Sequence, residues 1–228
     1  MDHCYGCPVR CKRVVKLESP SAADPVYGGP EYETLAALGS NCGIDDLEAL
    51  IRAADICNRH GIDTISAGVA ISFAMECFEK GILRREDTDG LDLTFGNAEA
   101  MVRMVERIAL RLGFGDLLAE GTRRAAARIG KGSDALAMQV KGQELPMHEP
   151  RRKQTMGLHY STNAAGADHN TTVHDMDPLN GESGEKLYKT GYLPQLINTL
   201  GVCRFVSWSE EQIRQAVAAV TGRPLTDR

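Results

Sequence analysis

Four of the seven cysteines constrain this chain more than any other feature, because they lie at opposite ends of it and read as ligands of one centre. Cys4, Cys7 and Cys11 form a Cys-x-x-Cys-x-x-x-Cys run in the stretch His3-Cys4-Tyr5-Gly6-Cys7-Pro8-Val9-Arg10-Cys11. Three thiolates so closely spaced can converge on one small inorganic core without long-range folding, and a fourth ligand then closes the site from elsewhere. Cys203, two residues after Gly201, is the candidate for that fourth ligand. A chain in which residue 203 meets residues 4 to 11 has to fold back on itself over most of its length. The expectation is an iron–sulfur cage and one-electron transfer. A zinc site of Cys4, Cys7, Cys11 and His3 is the competing reading, and it leaves Cys203 without a role.

The remaining cysteines read differently. Cys57 and Cys77 fall inside helical patterns and Cys42 follows Asn41, so all three are expected to be small buried hydrophobes. Seven is an odd count, which fits a reducing cytoplasm better than export. The cysteine motif begins three residues after Met1, so no signal peptide is expected. At 228 residues the chain can bury a genuine core, as one large domain or two small ones. Its net charge of −5 argues against a general nucleic-acid binder. No apolar run approaches the roughly 18–20 residues that a membrane span needs.

Helical signals dominate the pattern. Asp45 is placed to cap a segment with Leu47, Leu50, Ile51 and Ala54 that ends at Gly61. A run from Thr64 to Lys80 is apolar on most faces and is expected to be buried, stopping at Gly81. Asn97 caps a third helix that stops at Gly113, and Asp116 opens a fourth that runs to Gly130. Ser209-Glu210-Glu211-Gln212 is a capping-box pattern for a last helix ending at Gly222. Strand signals are few: Val14 to Leu17, and Ala137 to Val140. From His148 to Gly184 the chain is rich in Gly, Asn, Thr and His, and reads as a long functional loop. The fold class expected is mostly α, in two helical lobes that part between Gly130 and Met156.

Two segments echo each other. Asn58-Arg59-His60-Gly61-Ile62-Asp63 and Asn198-Thr199-Leu200-Gly201-Val202-Cys203 both follow Asn-x-x-Gly-(Ile/Val)-(Asp/Cys) at the end of a helical pattern. Facing one another, such turns can grip a flat heterocycle, with the Asn amides reading its polar edge. Each taken alone is better explained as helix-end chemistry; that the second ends in the candidate fourth cysteine shifts the balance. In Gly28-Gly29-Pro30-Glu31-Tyr32-Glu33-Thr34 the carboxylates suit a helix N-terminus, and equally an acid/base carboxylate beside a phenol. His159, His169 and His174 are candidate proton donors and acceptors, with simple solvation the alternative. Neither a Walker loop nor a dinucleotide fingerprint is present.

Taken in order, these segments resemble the tungsten-dependent aldehyde:ferredoxin oxidoreductase family. The ordered set is Cys4-x-x-Cys7-x-x-x-Cys11, Gly29-Pro30-Glu31-Tyr32-Glu33-Thr34, Asn58-x-x-Gly61-Ile62-Asp63-Thr64-Ile65-Ser66, Lys141-Gly142-x-Glu144-Leu145-Pro146, Gly166-Ala167-Asp168-His169 and Asn198-x-x-Gly201-Val202-Cys203. It covers nearly the whole chain. The resemblance implies a [4Fe–4S] cluster on Cys4, Cys7, Cys11 and Cys203, beside a tungsten (or molybdenum) bis-molybdopterin cofactor. It maps the pterin-gripping turns onto Asn58, Gly61, Ile62 and Asp63 and onto Asn198, Gly201, Val202 and Cys203. Both turns begin with Asn here, where the family has Asp. The family's carboxylate near the metal maps onto Glu33, beside Tyr32, and its active-site histidine onto His169.

The chemistry implied is oxidation of an aldehyde to a carboxylic acid, with electrons leaving singly through the cluster to ferredoxin, in an anaerobic setting. Arg10, Lys12, Arg13 and Lys16 form a basic rim suited to an acidic ferredoxin or to raising the cluster's potential, and simple solvation explains them equally well. No Glu-x-x-His pair supports the family's interface iron site, and self-association as a homo-oligomer stays open. The family's N-terminal β-rich, pterin-binding domain is missing from this sequence. The chain is therefore expected to be a fragment. Residues 1–140 would form a helical domain with the cysteine motif and the first turn. Residues 141–228 would form a helical and loop domain with His169 and Cys203, incomplete at its C-terminus. A non-enzymatic [4Fe–4S] electron-transfer module working with a separate pterin-binding domain is the alternative, and a structural zinc domain the third reading.

Overall fold

Short polar caps start four of the helices, and where a cap moves, the element moves with it. The computed structural model describes residues 2–17, 23–172 and 174–224. The last residues of the expected second domain, 225–228, lie outside the described residues. Helix α1 (Tyr32–Thr34) is a single turn that continues as a π-helical stretch, Leu35–Gly39. Helix α2 (Leu47–His60) starts at Asp46, not Asp45: Asp46 has the extended backbone of a cap, and its carboxylate accepts the Ala49 N–H at 3.1 Å. Helix α3 (Thr64–Glu79) is capped by Asp63, which accepts the Ser66 N–H at 2.8 Å. As its unbroken apolar run predicts, α3 is buried along most of its length, from Ala67 through Ile71 and Phe73 to Met75 and Cys77.

Asn97 caps helix α4 (Ala98–Leu110) as expected, but the helix stops at Arg111 in the left-handed region, two residues before Gly113. The single helix expected from Asp116 to Gly130 is two, α5 (Phe114–Leu118) and α6 (Thr122–Ile129). Gly121, at φ 84°, takes the chain out of helix between them, and the Thr122 N–H is satisfied by the buried Glu144 carboxylate at 2.7 Å. Strand β1 (Gln139–Val140) pairs antiparallel with β2 (Gln143–Glu144) across a tight turn at Lys141 and Gly142, both with positive φ. Val14 to Leu17 form no strand; Leu17 makes one isolated bridge to Ala23.

The long loop expected after His148 contains helix α7 (Gln154–Thr162), which buries Thr155, Met156, His159 and Tyr160. Helix α8 (Ser183–Thr199) comes next, and α9 (Glu210–Thr221) begins with the predicted Ser209–Gln212 capping box. The fold class is mostly α, as read from the sequence. One large apolar cluster unites α2, α3, α4, α5 and α6, and a smaller one gathers Met156, Tyr160 and Ala167 with Val140 and Leu145. No helix among the described residues is long and apolar enough to cross a membrane.

A backbone-on-backbone contact positions the site. A Cβ added at Gly68 of α3 would lie 2.6 Å from the Ala37 carbonyl carbon. The π-helical stretch after Glu33 is therefore pressed directly against α3, and Thr34 and Thr64 hydroxyls hydrogen-bond at 2.9 Å beside it. Gly68→Ala is expected to destabilise the fold by about 1–3 kcal/mol through overpacking. A urea titration reads this as a lower midpoint with an unchanged slope.

Candidate functional site

Tyr32 and Glu33 occupy the one turn of α1, and both reach the backbone of the same residue, Met147, in the segment after β2. The Met147 N–H donates to Glu33 Oε2 at 2.8 Å, and the Tyr32 hydroxyl donates to the Met147 carbonyl at 2.8 Å. The next residue, His148, is turned by its own N–H bonding to the Pro146 carbonyl at 2.7 Å. That turn sets the His148 ring on Tyr32, with centroids 5.6 Å apart, and brings its Nε2 within 3.0 Å of Glu33 Oε1. His169 Nε2 lies 3.8 Å from the same oxygen. His174 meets His148 edge-on at 4.8 Å, with its Nε2 2.7 Å from the His169 carbonyl.

Burial sets the protonation states. It raises the Glu33 pKa, partly opposed by the Met147 N–H, with nearby Asp63 adding to the rise and Lys153 countering it. His148 is pushed down to about 4 by burial, then by the Lys153 ammonium and the neighbouring His174 and His169. Burial also lowers His169 and His174. At neutral pH the imidazoles around Glu33 are thus uncharged. Glu33 Oε1 is buried and receives no hydrogen bond, since the His148 nitrogen is near but out of line. Glu33, His148 and His169 present donor atoms all within 4.8 Å of one another, a spacing that a cation can bridge. Against that use, the Lys153 Nζ sits 3.2 Å from His148 Nδ1 and brings a positive charge to the cluster.

The two echoing turns have the same backbone geometry. After α2, Gly61 is left-handed (φ 66°), its N–H bonds the Asn58 carbonyl at 3.4 Å, and the Ile62 N–H bonds Cys57 at 2.9 Å. After α8, Gly201 is left-handed (φ 67°), with Gly201 N–H to Asn198 at 3.1 Å and Val202 N–H to Ile197 at 3.2 Å. This is the Schellman reversal expected of glycine at a helix end. Asn58, Ile62 and Asp63 line a cleft of ≈ 320 Å³ with Lys12 and Arg13, and the Asn58 amide donates to the Tyr27 carbonyl at 3.3 Å. Asn198 lines a different cleft, of ≈ 870 Å³, with His159, Asn163 and Asp168.

The amino-terminal cysteines sit on a loop clasped at its ends by backbone bonds between Asp2 and Lys12, of 2.7 and 3.1 Å. Within it the Cys7 N–H bonds the Cys4 carbonyl at 3.0 Å; Cys4 and Cys11 are exposed, Cys7 less so. Cys203 is exposed too, and its Sγ accepts the Phe205 N–H at 3.4 Å. All four are free thiols. Of the catalytic candidates, Tyr32, Glu33 and His169 share one neighbourhood. His148 is the participant that sequence reasoning missed. It stands two residues beyond the Lys141-to-Pro146 motif, and that adjacency was the available signal.

The model of a family described as aldehyde ferredoxin oxidoreductase, domains 2 and 3, matches residues 1–228. The chain belongs to this family. It is 38% identical over 218 residues to the tungsten-containing aldehyde ferredoxin oxidoreductase of Pyrococcus furiosus, covering 90% of this chain and 35% of that protein. It is 32% identical over 209 residues to the aliphatic sulfonate oxidoreductase, WOR-like subunit, of the same organism, covering 89% and 32%. The chain thus spans about a third of the length of the curated relatives it matches. Among solved structures it is similar to the active site complex BamBC of benzoyl coenzyme A reductase in complex with 1,5-dienoyl-CoA. There the TM-score is 0.59 and the identity 27%, over 81% of this chain and 28% of that one.

Within this family member the seven thiols fall into two classes. Burial pushes Cys42 and Cys57 up to about 12 and Cys77 up to about 11. In the metal-free chain at pH 8, differential alkylation read by mass spectrometry is expected to label Cys4, Cys7, Cys11 and Cys203. Cys42, Cys57 and Cys77 are expected to react only after unfolding.

Proposed function

We propose that this chain is the cluster- and pterin-facing part of a cytoplasmic oxidoreductase that converts aldehydes to carboxylic acids and delivers the electrons to ferredoxin. The observation that carries the reading is the buried Glu33 Oε1, left without a hydrogen bond while His169 Nε2 stands 3.8 Å away. A reacting molecule placed against that oxygen meets a carboxylate and an imidazole at once. The overall change is RCHO + H2O → RCOOH + 2H⁺ + 2e⁻, with one electron for each of two ferredoxins.

The residues present fit the groups that the family implies. Cys4, Cys7, Cys11 and Cys203 are free thiols of the type that holds a [4Fe–4S] cluster. The turns Asn58–Asp63 and Asn198–Cys203 would hold a tungsten (or molybdenum) bis-molybdopterin through amide and backbone groups, and a Cβ at Gly61 or Gly201 would meet nothing within 4 Å. When bound, that cofactor supplies two-electron redox chemistry. Residues 1–140 would contribute the cluster loop, Glu33 and the first turn, and residues 141–228 His169, the second turn and the last cysteine.

Glu33 holds and moves the proton at Oε1, and its raised pKa makes it a stronger base than an exposed carboxylate. His169, neutral, orients the carbonyl oxygen by hydrogen bonding. The Tyr32 hydroxyl proton is committed to the Met147 carbonyl, which makes Tyr32 a support for the site more than a proton donor. An apolar cleft of ≈ 850 Å³, lined by Tyr32, His148, Val69, Phe73, Phe95 and Leu145, gives room beside the site for an apolar substituent on the aldehyde.

Anaerobic purification with metal analysis tests the reading. Tungsten or molybdenum together with iron is the expected result, and iron alone favours an electron-transfer module without its own catalysis. Cys203→Ser is expected to remove the brown cluster chromophore. In the complete enzyme that carries this chain, Glu33→Gln is expected to lower kcat by about 10²–10⁴-fold. Unchanged turnover would remove Glu33 from the mechanism.

A further inference from the structure

We infer that His148, with its proton fixed on Nε2 by Lys153, is the positioning residue that keeps the Glu33 carboxylate anionic and aimed. The inference rests on the function proposed above for Glu33, and adds to it a residue and a direction. The Lys153 ammonium can only donate, so its 3.2 Å contact makes His148 Nδ1 the acceptor. The single proton of the neutral ring must then reside on Nε2, which faces Glu33 Oε1 at 3.0 Å. With its lone pair committed on one side and its proton on the other, the ring has no nitrogen left for a cation. That removes the Glu33–His148–His169 cluster as a metal site in this state.

The rest of the neighbourhood enforces the arrangement. The ring is stacked on Tyr32, and the Tyr160 hydroxyl bonds the His148 carbonyl at 3.4 Å. Glu33 Oε2 is already occupied by the Met147 N–H, so Oε1 is the oxygen whose proton affinity remains adjustable. The charged and titratable groups around the pair are Lys153, His169, His174 and Asp63, and Asp168 and Arg204 act on the two outer histidines. The 3.0 Å approach is close but out of line for a hydrogen bond, and such contacts in ligand-free sites align when the reactant is bound. The logic is that of a group which fixes a tautomer so that the next residue in line has the right charge.

Imidazole ¹⁵N–¹H correlation spectra of the metal-free chain test this without any dependence on turnover. The expected result is that His148 carries its proton on Nε2 in the native chain and becomes a tautomer mixture in Lys153→Met. A native His148 protonated on Nδ1 overturns the inference. Carboxyl ¹³C titration, with Glu33 assigned by loss of its signal in Glu33→Gln, supplies the second readout. His148→Leu is expected to raise the proton affinity of Glu33 about tenfold. His148→Gln, whose amide stands near the Nε2 position, is expected to restore it. Identical Glu33 titrations in the native chain and His148→Leu overturn the inference as well. Should His148→Leu fail to fold, the tautomer measurement decides alone. If the enzyme proves not to oxidise aldehydes, these spectra are unaffected, so the two failures are distinguishable.

Discussion

The backbone of Met147 is the contact on which the site depends. Its N–H is taken by Glu33 and its carbonyl by Tyr32, so two adjacent side chains clamp the backbone of one residue, 114 and 115 positions away. A hydrogen bond to a charged carboxylate contributes about 1.5–3 kcal/mol, roughly twice a neutral one. Burying Glu33 costs free energy, as the raised pKa records, and the Met147 N–H recovers only part of it. The unrecovered part is concentrated at Oε1, the oxygen with no donor of its own. A fold retains such an oxygen at a disadvantage to stability, and a desolvated carboxylate ringed by histidines is the kind of place where functional sites are found.

A second buried carboxylate holds the clamp in place. Glu144 accepts the Thr122 N–H and so closes the N-terminus of α6 from a distant part of the chain. The short β1–β2 hairpin delivers Glu144 to that helix end, and residues 145–148 run on from there to Glu33. One stretch of five residues thus fastens to the helical core at its start and to the candidate site at its end. On the opposite side, the Gly68–Ala37 contact fixes the turn that carries Glu33. The cluster of Glu33 and the histidines is held between these anchors, on the framework of α3 and α6 more than on the loops that surround it.

The sequence made the elements legible where one residue carries the signal. Asn97 and the Ser209 box announce helices because a side chain bonds its own helix within three residues. The break between α5 and α6 was not legible, because the donor that stabilises it is capped by Glu144, 22 residues further on. Helix α7 was hidden in a stretch rich in Gly, Thr and His; it is stabilised by burying Met156 and Tyr160, which is tertiary packing overriding weak local propensity. In the site, Glu33, Tyr32 and His169 were read from ordered motifs. His148 was not, because its meaning comes from Lys153 behind it and Glu33 in front, and neither relation is written in local spacing.

The paired turns show why a repeated motif need not repeat its chemistry. Gly61 and Gly201 reverse their helices with matching hydrogen bonds, so Asn-x-x-Gly fixes backbone shape in both. The side chains two positions after the glycines differ in commitment. Asp63 turns its carboxylate inward to cap α3 through the Ser66 N–H, which ties the first turn to the start of a buried helix. Cys203 caps nothing; α9 begins only after Ser209, and the thiol stays exposed between the two helices. The first turn is therefore tied to α3 through its last residue, while the second ends in an exposed thiol available for bonding elsewhere. Helix-end geometry is the common part, and the identity of that last residue decides what else the turn is fastened to.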